Sequence, residues 1–303
     1  MTLLAVVAHP DDETFGCGSV LLHAAERTRT VVVCATRGEK GENEAGRQQP
    51  AGGLASVREA ELRAAASVLG VAQVEVLDLH DSGMSGTPPP GSLCATPLAE
   101  LVPHLRDVIA RHRPSVVVTL DGDDGHRDHQ RVRDAVLAAA DPALPVYLSC
   151  LPRSLMHEWL RYRAEDGSGS SYADLPEIGT PDGEITTVID TSPHYATRLA
   201  AIAQHRSQTS PFRRPARGPA PAVPGVRPPA PGPAALGRGA CGGRPSRSRH
   251  TRRCLPASAV AAASGRGRRA SDDRRQRPRV PSRASRSRSA WPLWRAYSPI
   301  RCT

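Results

Sequence analysis

The clearest signal along the chain is a short, unbroken apolar run, Leu3 to Ala8 (LLAVVA), and the same kind of run recurs. Thr30 to Ala35 (TVVVCA) and Ser115 to Leu120 (SVVVTL) repeat it, with Val74 to Leu79 and Pro145 to Ser149 as further examples. Runs this short, apolar at every position, predict strands buried on both faces. Between them the period changes. Leu54 to Leu69 carries Val57, Leu62, Ala65 and Leu69 at helical spacing and stops at Gly70. Helices are also predicted from about Glu13 to Arg27, over Leu98 to Arg111 ahead of Pro114, and over Asp128 to Ala140. Arg37 to Gly53 and Gly83 to Pro97 have loop composition. A helix near Leu155 to Arg163, a Gly/Ser loop, a strand Ile185 to Asp190 and a helix Pro193 to Arg206 complete the series. This alternation predicts an α/β fold: a mostly parallel sheet with helices on both faces. Ligands of such sheets bind beyond the carboxyl ends of the strands.

The pattern ends at Phe212. Residues 213–303 are Arg, Pro, Ala, Gly and Ser without lasting periodicity, and contain no Glu, Lys, Asn, Met or Phe. They hold 22 Arg and two acids, Asp272 and Asp273, for a net charge of +20, while residues 1–212 carry −10. The whole-chain value of +10 therefore describes the tail alone. We divide the chain into a domain at 1–212 and a disordered basic tail at 213–303, since this composition cannot bury enough apolar surface to fold. The abrupt change also fits an out-of-frame translation of GC-rich DNA. Nucleic acid is expected only as nonspecific phosphate contact by that tail, which offers Trp291, Trp294 and Tyr297 for stacking and no recognisable module.

Two short motifs carry chemistry. Ala8-His9-Pro10-Asp11-Asp12-Glu13 follows the first strand, and Gly125-His126-Arg127-Asp128-His129 follows the fourth, so both lie at one edge of the sheet. His9 and Asp12 are three apart at a helix start and can turn toward one point. His129, on the first turn of a facing helix, is the natural third ligand. Two imidazoles and a carboxylate suit a catalytic zinc ion and leave a coordination position for water. Such a site also accepts Fe(II) and other divalent ions. Asp11 lies beside these ligands with a spare carboxylate and is the candidate base for that water.

AHPDDE after the first strand and HxDH after the fourth resemble the PIG-L/LmbE-like N-acetylglucosamine deacetylases. TRGE (Thr36 to Glu39), DSGM (Asp81 to Met84) and HRSQTSPF (His205 to Phe212) extend the resemblance over roughly Met1 to Phe212. The resemblance implies a Rossmann-like fold and hydrolysis of an N-acetyl group from a small amino-sugar conjugate, or of a related amide. It implies His9, Asp12 and His129 as metal ligands, Asp11 as general base, and His126 as the group that stabilises the oxyanion or protonates the leaving amine. It further implies sugar contacts by Arg58 and Asp81. In one respect the chain departs: mycothiol-pathway members often have Tyr two residues before the first His of the second motif, and Asp124 stands here, within the acidic run Asp121, Asp123, Asp124.

Plainer readings compete. Asp11 to Glu13 could serve only as an acidic helix N-terminus, and His126 and His129 could be solvated loop residues. Gly16-Cys17-Gly18 hints at a nucleotide loop, but Leu21 stands where the third Gly belongs, so close packing is the better reading. Cys150 at a strand end reads as a buried structural thiol rather than a nucleophile. His205 reads equally as a site residue or as a surface or capping histidine, and Arg37 and Glu39 as a loop ion pair or as site residues. The alternative for the whole chain is an impaired family member or a binding protein with a nucleic-acid-contacting tail. Retention of His9, Asp11, Asp12, His126 and His129 favours the enzyme. Met1 to Ala8 lacks the basic start and cleavage site of a secretory signal, no apolar run reaches membrane length, and the seven cysteines have no paired spacing. These point to the cytoplasm.

Overall fold

The computed structural model of the protein describes residues 1–41, 52–165, 177–208 and 297–303. In chain order the elements are β1 (Thr2–Val7), α1 (Asp12–Phe15), α2 (Gly18–Ala25), β2 (Arg29–Thr36), α3 (Gly53–Val68), β3 (Gln73–Leu79), α4 (Leu98–His112), β4 (Val116–Leu120), α5 (Arg127–Ala139), β5 (Val146–Ser149), α6 (Arg153–Glu165), β6 (Thr187–Asp190), α7 (Tyr195–Ile202) and β7 (Tyr297–Cys302). The sheet runs β3-β2-β1-β4-β5-β7-β6. Its first five strands are parallel, and β7 pairs antiparallel with both β5 and β6.

The continuous apolar runs follow from this layering. Alternate residues of one strand feed two separate cores. Leu4, Val6, Val31, Val33 and Val117 pack with Leu101, Leu105 and Val108 of α4 and Val132 and Val136 of α5. Leu3, Ala5, Val7, Val32 and Val118 pack on the opposite face with Val20 and Leu21 of α2, Leu62 of α3 and Ala201 of α7. In β1 and β4, at the centre of the sheet, nearly every position is buried on one face or the other, so these strands are almost wholly apolar, whereas the edge strands β3 and β6 carry exposed polar residues. The order of strands reverses at β1, whose neighbours are β2 and β4. Chains leaving β1 and β4 part there and open a crevice at the carboxyl edge.

Three expectations are corrected. The helix expected over Glu13 to Arg27 is two helices, broken at Gly16 and Cys17. Gly16 is wedged against β4: a Cβ there would stand 2.2 Å from Leu120 Cδ2. Gly16 is thus a packing device, as the missing third Gly suggested, whereas a Cβ at Gly18 would make only ordinary contacts. The helix expected over Pro193 to Arg206 starts as a 3₁₀ turn, Ser192–His194, before α7. The tail boundary at 212/213, and nearly all of 213–303, lie outside the described residues, but Tyr297–Cys302 is a strand, not a structureless end. Ile300 reaches one core and Arg301 pairs with buried Asp121 at 2.6 Å. No periodicity announces β7 because Pro299 removes a ladder donor and the flanking sequence is Arg- and Ser-rich. Among the described residues no helix is long and apolar enough to cross a membrane.

Candidate functional site

β1 ends one residue before the first motif, and the chain turns sharply. Asp11 takes φ 120°, a conformation that L side chains rarely adopt and that is strained outside glycine. The turn is held from several sides. Glu13 is fully buried, its Oε2 accepts the Asp11 amide at 2.9 Å, and its Oε1 meets His205 Nε2 at 2.6 Å. Thr14 Oγ1 donates to the Asp11 carbonyl at 2.8 Å. Arg58 Nη2 donates to the Pro10 carbonyl at 2.5 Å and lies 3.2 Å from Asp11 Oδ2, while Nη1 donates to the Gly38 carbonyl. Arg58 is buried behind the motif, with these contacts taking its terminal nitrogens. His205 is likewise a buried support rather than a surface residue.

The second motif meets the first across the crevice. Asp12 Oδ1 lies 3.2 Å from His129 Nε2, and Oδ2 lies 3.6 Å from His9 Nδ1. Asp12 thus stands between one nitrogen of each imidazole. The opposite nitrogens face other carboxylates: His9 Nε2 meets Asp128 Oδ2 at 3.1 Å, and His129 Nδ1 meets Asp124 Oδ2 at 2.5 Å. Asp128 is fully buried and also accepts from the Ser82 amide and Cys94 Sγ. His126 caps α5, its Nδ1 accepting from the Asp128 amide at 3.2 Å, and its ring stacks on His129 at 4.5 Å. Asp81 Oδ1 lies 3.7 Å from His9 Nε2, and the Asp81 carboxylate accepts from the Gly83 and Lys40 amides. His9, His126 and His129 present ligand atoms within 4.8 Å of one another, as do His9, Asp81 and Asp128. Sequence reasoning did not identify the roles of Asp128 and Asp124. The available signal was an acid within two residues of each histidine of the second motif, but spacing does not say which ring it meets.

The electrostatics follow from crowding carboxylates around buried rings. Burial pushes Asp11 up to about 6, with Arg58 opposing the rise. Burial lowers His126 to about 4, reinforced by His129 and His9, so this ring is neutral at physiological pH. Burial opposes a charge on His129, but Asp12 and Asp124 outweigh it and raise the group to about 10. His9 is raised in the same way, against burial, by Asp12, Asp128 and Asp81. Asp128 is held below the usual carboxylate range despite its burial, by His9 and Ser82. The cluster therefore draws positive charge onto its two central rings. His129 Nε2 is buried and makes no well-directed hydrogen bond, although Asp12 is close.

The remaining candidates separate from this centre. Arg37 pairs with Glu59 and Asp78, and Glu39 with His80 and the Asp81 amide, so they are not each other's partners. The Cys150 thiol is pushed up to about 12 by burial and by Asp121, which makes it a poor nucleophile. Arg127 instead gathers the loop after β3: its guanidinium donates to the carbonyls of Ser82, Gly83, Ser85 and Gly86.

The sequence profile of PIG-L, described as GlcNAc-PI de-N-acetylase, matches residues 4–140. A 1D-myo-inositol 2-acetamido-2-deoxy-alpha-D-glucopyranoside deacetylase of Kineococcus radiotolerans is 36% identical over 249 residues, covering 69% of this chain and 69% of that protein. The protein of the same description from Geodermatophilus obscurus is 35% identical over 241 residues, covering 68% and 82%. Among solved structures, N,N'-diacetylchitobiose deacetylase from Pyrococcus horikoshii is similar at 19% identity and a TM-score of 0.47, over 69% of this chain and 71% of that one.

Proposed function

The chain belongs to the PIG-L family of de-N-acetylases, and on that premise we propose that it is a metal-dependent hydrolase that removes the acetyl group from an N-acetylglucosaminyl conjugate, with the glucosaminyl-inositol compound of its relatives as the first candidate. The observation that carries the reading is the convergence of His9, Asp12 and His129 at the crevice where β1 and β4 part. The chemistry of this set, two imidazoles and a carboxylate, suits a divalent cation. Two imidazoles present the nitrogens nearest Asp12, the site draws positive charge, and buried His129 Nε2 lacks a hydrogen bond. We assign His9, Asp12 and His129 as the ligands. His126 is the geometric alternative to Asp12, but Asp12 stands between both rings and brings the negative charge that a cation requires. Zinc is the expected ion, with iron(II) as the other candidate. When bound, the ion supplies Lewis acidity, lowering the pKa of water to about 7 and polarising the amide carbonyl.

The chain's own groups divide the remaining work. Asp11, ionised above about pH 6, accepts the proton of the water that attacks the acetyl carbonyl. Its carboxylate is aimed by Arg58 and its backbone is fixed through Glu13 and His205. His126 accepts at Nδ1 from the Asp128 amide, so its neutral ring carries the proton on Nε2 and donates to the developing oxyanion. A ring that stays neutral is a poor acid at pH 7, so we assign return of the proton to the leaving amine to Asp11. Asp81, buried beside His9, is kept as the sugar contact that the resemblance implies, whereas Arg58, buried with its terminal nitrogens on Gly38, Pro10 and Asp11, is reassigned from sugar contact to support of Asp11. The unpaired buried thiols of Cys17, Cys34 and Cys150 support a reducing compartment, the cytoplasm. The test is acetate and free-amine release from N-acetylglucosaminyl-inositol by the zinc-loaded protein, before and after chelation. Release that stops with chelator and returns with zinc is expected. No release by fully loaded protein, or release indifferent to chelator, overturns the reading.

A further inference from the structure

The carboxylate at position 124 stands where mycothiol-type relatives often carry a phenol, and its two oxygens are both in use. Oδ1 accepts from the His126 amide at 3.0 Å, and Oδ2 meets His129 Nδ1 at 2.5 Å. One side chain therefore ties together both histidines of the second motif. We infer that Asp124 is a positioning residue for the metal site: its hydrogen bond from His129 Nδ1–H fixes the ring so that Nε2 is the nitrogen presented to the cation.

The argument is one of valence and orientation. An imidazole has two nitrogens, and a neutral ring carries its proton on one of them. With Nδ1–H given to Asp124, the lone pair is left on Nε2, which lies 3.2 Å from Asp12 Oδ1 and is buried without a hydrogen bond. The stacked His126 ring, 4.5 Å away and inclined by 20°, fixes the plane of His129. Stacking alone does not choose between the two edges of the ring, because a half-turn about the Cβ–Cγ bond keeps that plane. Asp124 makes the choice, since a flipped ring would present carbon to its carboxylate. His9 is held by the same device from the other motif, with Asp128 taking Nε2 and leaving Nδ1 toward Asp12. Carboxylates that accept the second nitrogen of a ligating histidine orient it and increase its basicity.

This inference rests on the ligand assignment above, and the test separates the two. Zinc alone is titrated into the full-length protein against a chromophoric chelator, with melting of the metal-free protein as a control. His129→Ala should weaken zinc more than any Asp124 variant does while leaving an affinity the titration still measures. Asp124→Ala should weaken zinc about 10- to 100-fold. Asp124→Asn, which keeps an acceptor but not the charge, should fall between that variant and the parent, and it reports on the contact even if the alanine variant does not fold. In a His129→Ala background, Asp124→Ala should change zinc affinity less than about threefold, because the effect travels through the ring. Parental zinc affinity in both Asp124 variants, with His129→Ala defective, overturns the role of Asp124 and leaves the ligand set standing. An equal loss with and without the His129 ring overturns it too, since Asp124 would then act on the site generally. Parental affinity in His129→Ala overturns the ligand assignment itself.

Discussion

At the scale of single residues, the site is built from acids that differ by environment rather than by type. Asp12 lies between two rings, Asp128 and Asp124 each face one ring, and Asp11 faces an arginine. Asp11→Asn removes the proton acceptor and leaves the ligands, so turnover should drop about 10² to 10⁴-fold at unchanged zinc content. Stopped assays on metal-analysed protein check this, and parental turnover with full zinc removes Asp11 from the mechanism. The pH dependence follows from the same group. Its pKa is raised to about 6 and the working form is the ionised one, so kcat/KM should be flat above that value and fall about tenfold per pH unit below it. A profile with no acid limb between pH 5 and 7 contradicts the assignment. The proposed ligands and base could be picked out in the sequence because their two motifs follow buried parallel strands, the first directly after β1 and the second a short loop after β4, so that topology brings them to one edge of the sheet. The acids behind them were not. His9 and Asp128 are 119 residues apart, and no local pattern specifies so distant a contact.

At the scale of elements, two-sided burial made β1, β2, β4 and β5 readable, since strands with no exposed face become unbroken apolar words. The break between α1 and α2 was hidden for a related reason. Apolar spacing continues across Gly16 and Cys17, and only the approach of Leu120 from β4 explains why the helix stops and starts again. This joint carries Asp12 and Glu13, so its fit is coupled to the site. Gly16→Val forces a side chain into Leu120 Cδ2 and should destabilise the fold by about 1–3 kcal/mol, the usual range for overpacking a core. Urea unfolding of zinc-free protein measures it, and an unchanged midpoint means that β4 yields more easily than the contact implies.

At the scale of the whole molecule, the sheet is closed by a strand drawn from far along the chain. Asp121 is 3% exposed and holds Arg301 of β7 at 2.6 Å, while Arg301 also reaches the half-exposed Glu184 at 2.6 Å. Arg301→Ala leaves the buried carboxylate with Thr180 as its side-chain partner and should cost about 1–3 kcal/mol. Glu184→Ala removes only the solvent-facing pair and should cost less than about 1 kcal/mol by the same thermal melt. Equal losses would mean that Asp121 gains little from β7. Composition obscured this strand, and the same composition raised the out-of-frame reading. A fitted β7 predicts that neither other frame downstream of the Phe212 codon encodes a replacement strand, and the gene's nucleotide sequence decides it. The distance between β6 and β7 also has a consequence in time. A ribosome adds about 5–20 residues per second, and about a hundred residues separate Asp190 from Tyr297. For roughly 5–20 s each nascent chain carries two strand edges, on β5 and β6, that await a partner still being synthesised. During that interval the growing polypeptide is a natural client for chaperones that shield open sheet edges, and translation speed through the Arg-rich stretch sets how long it remains one.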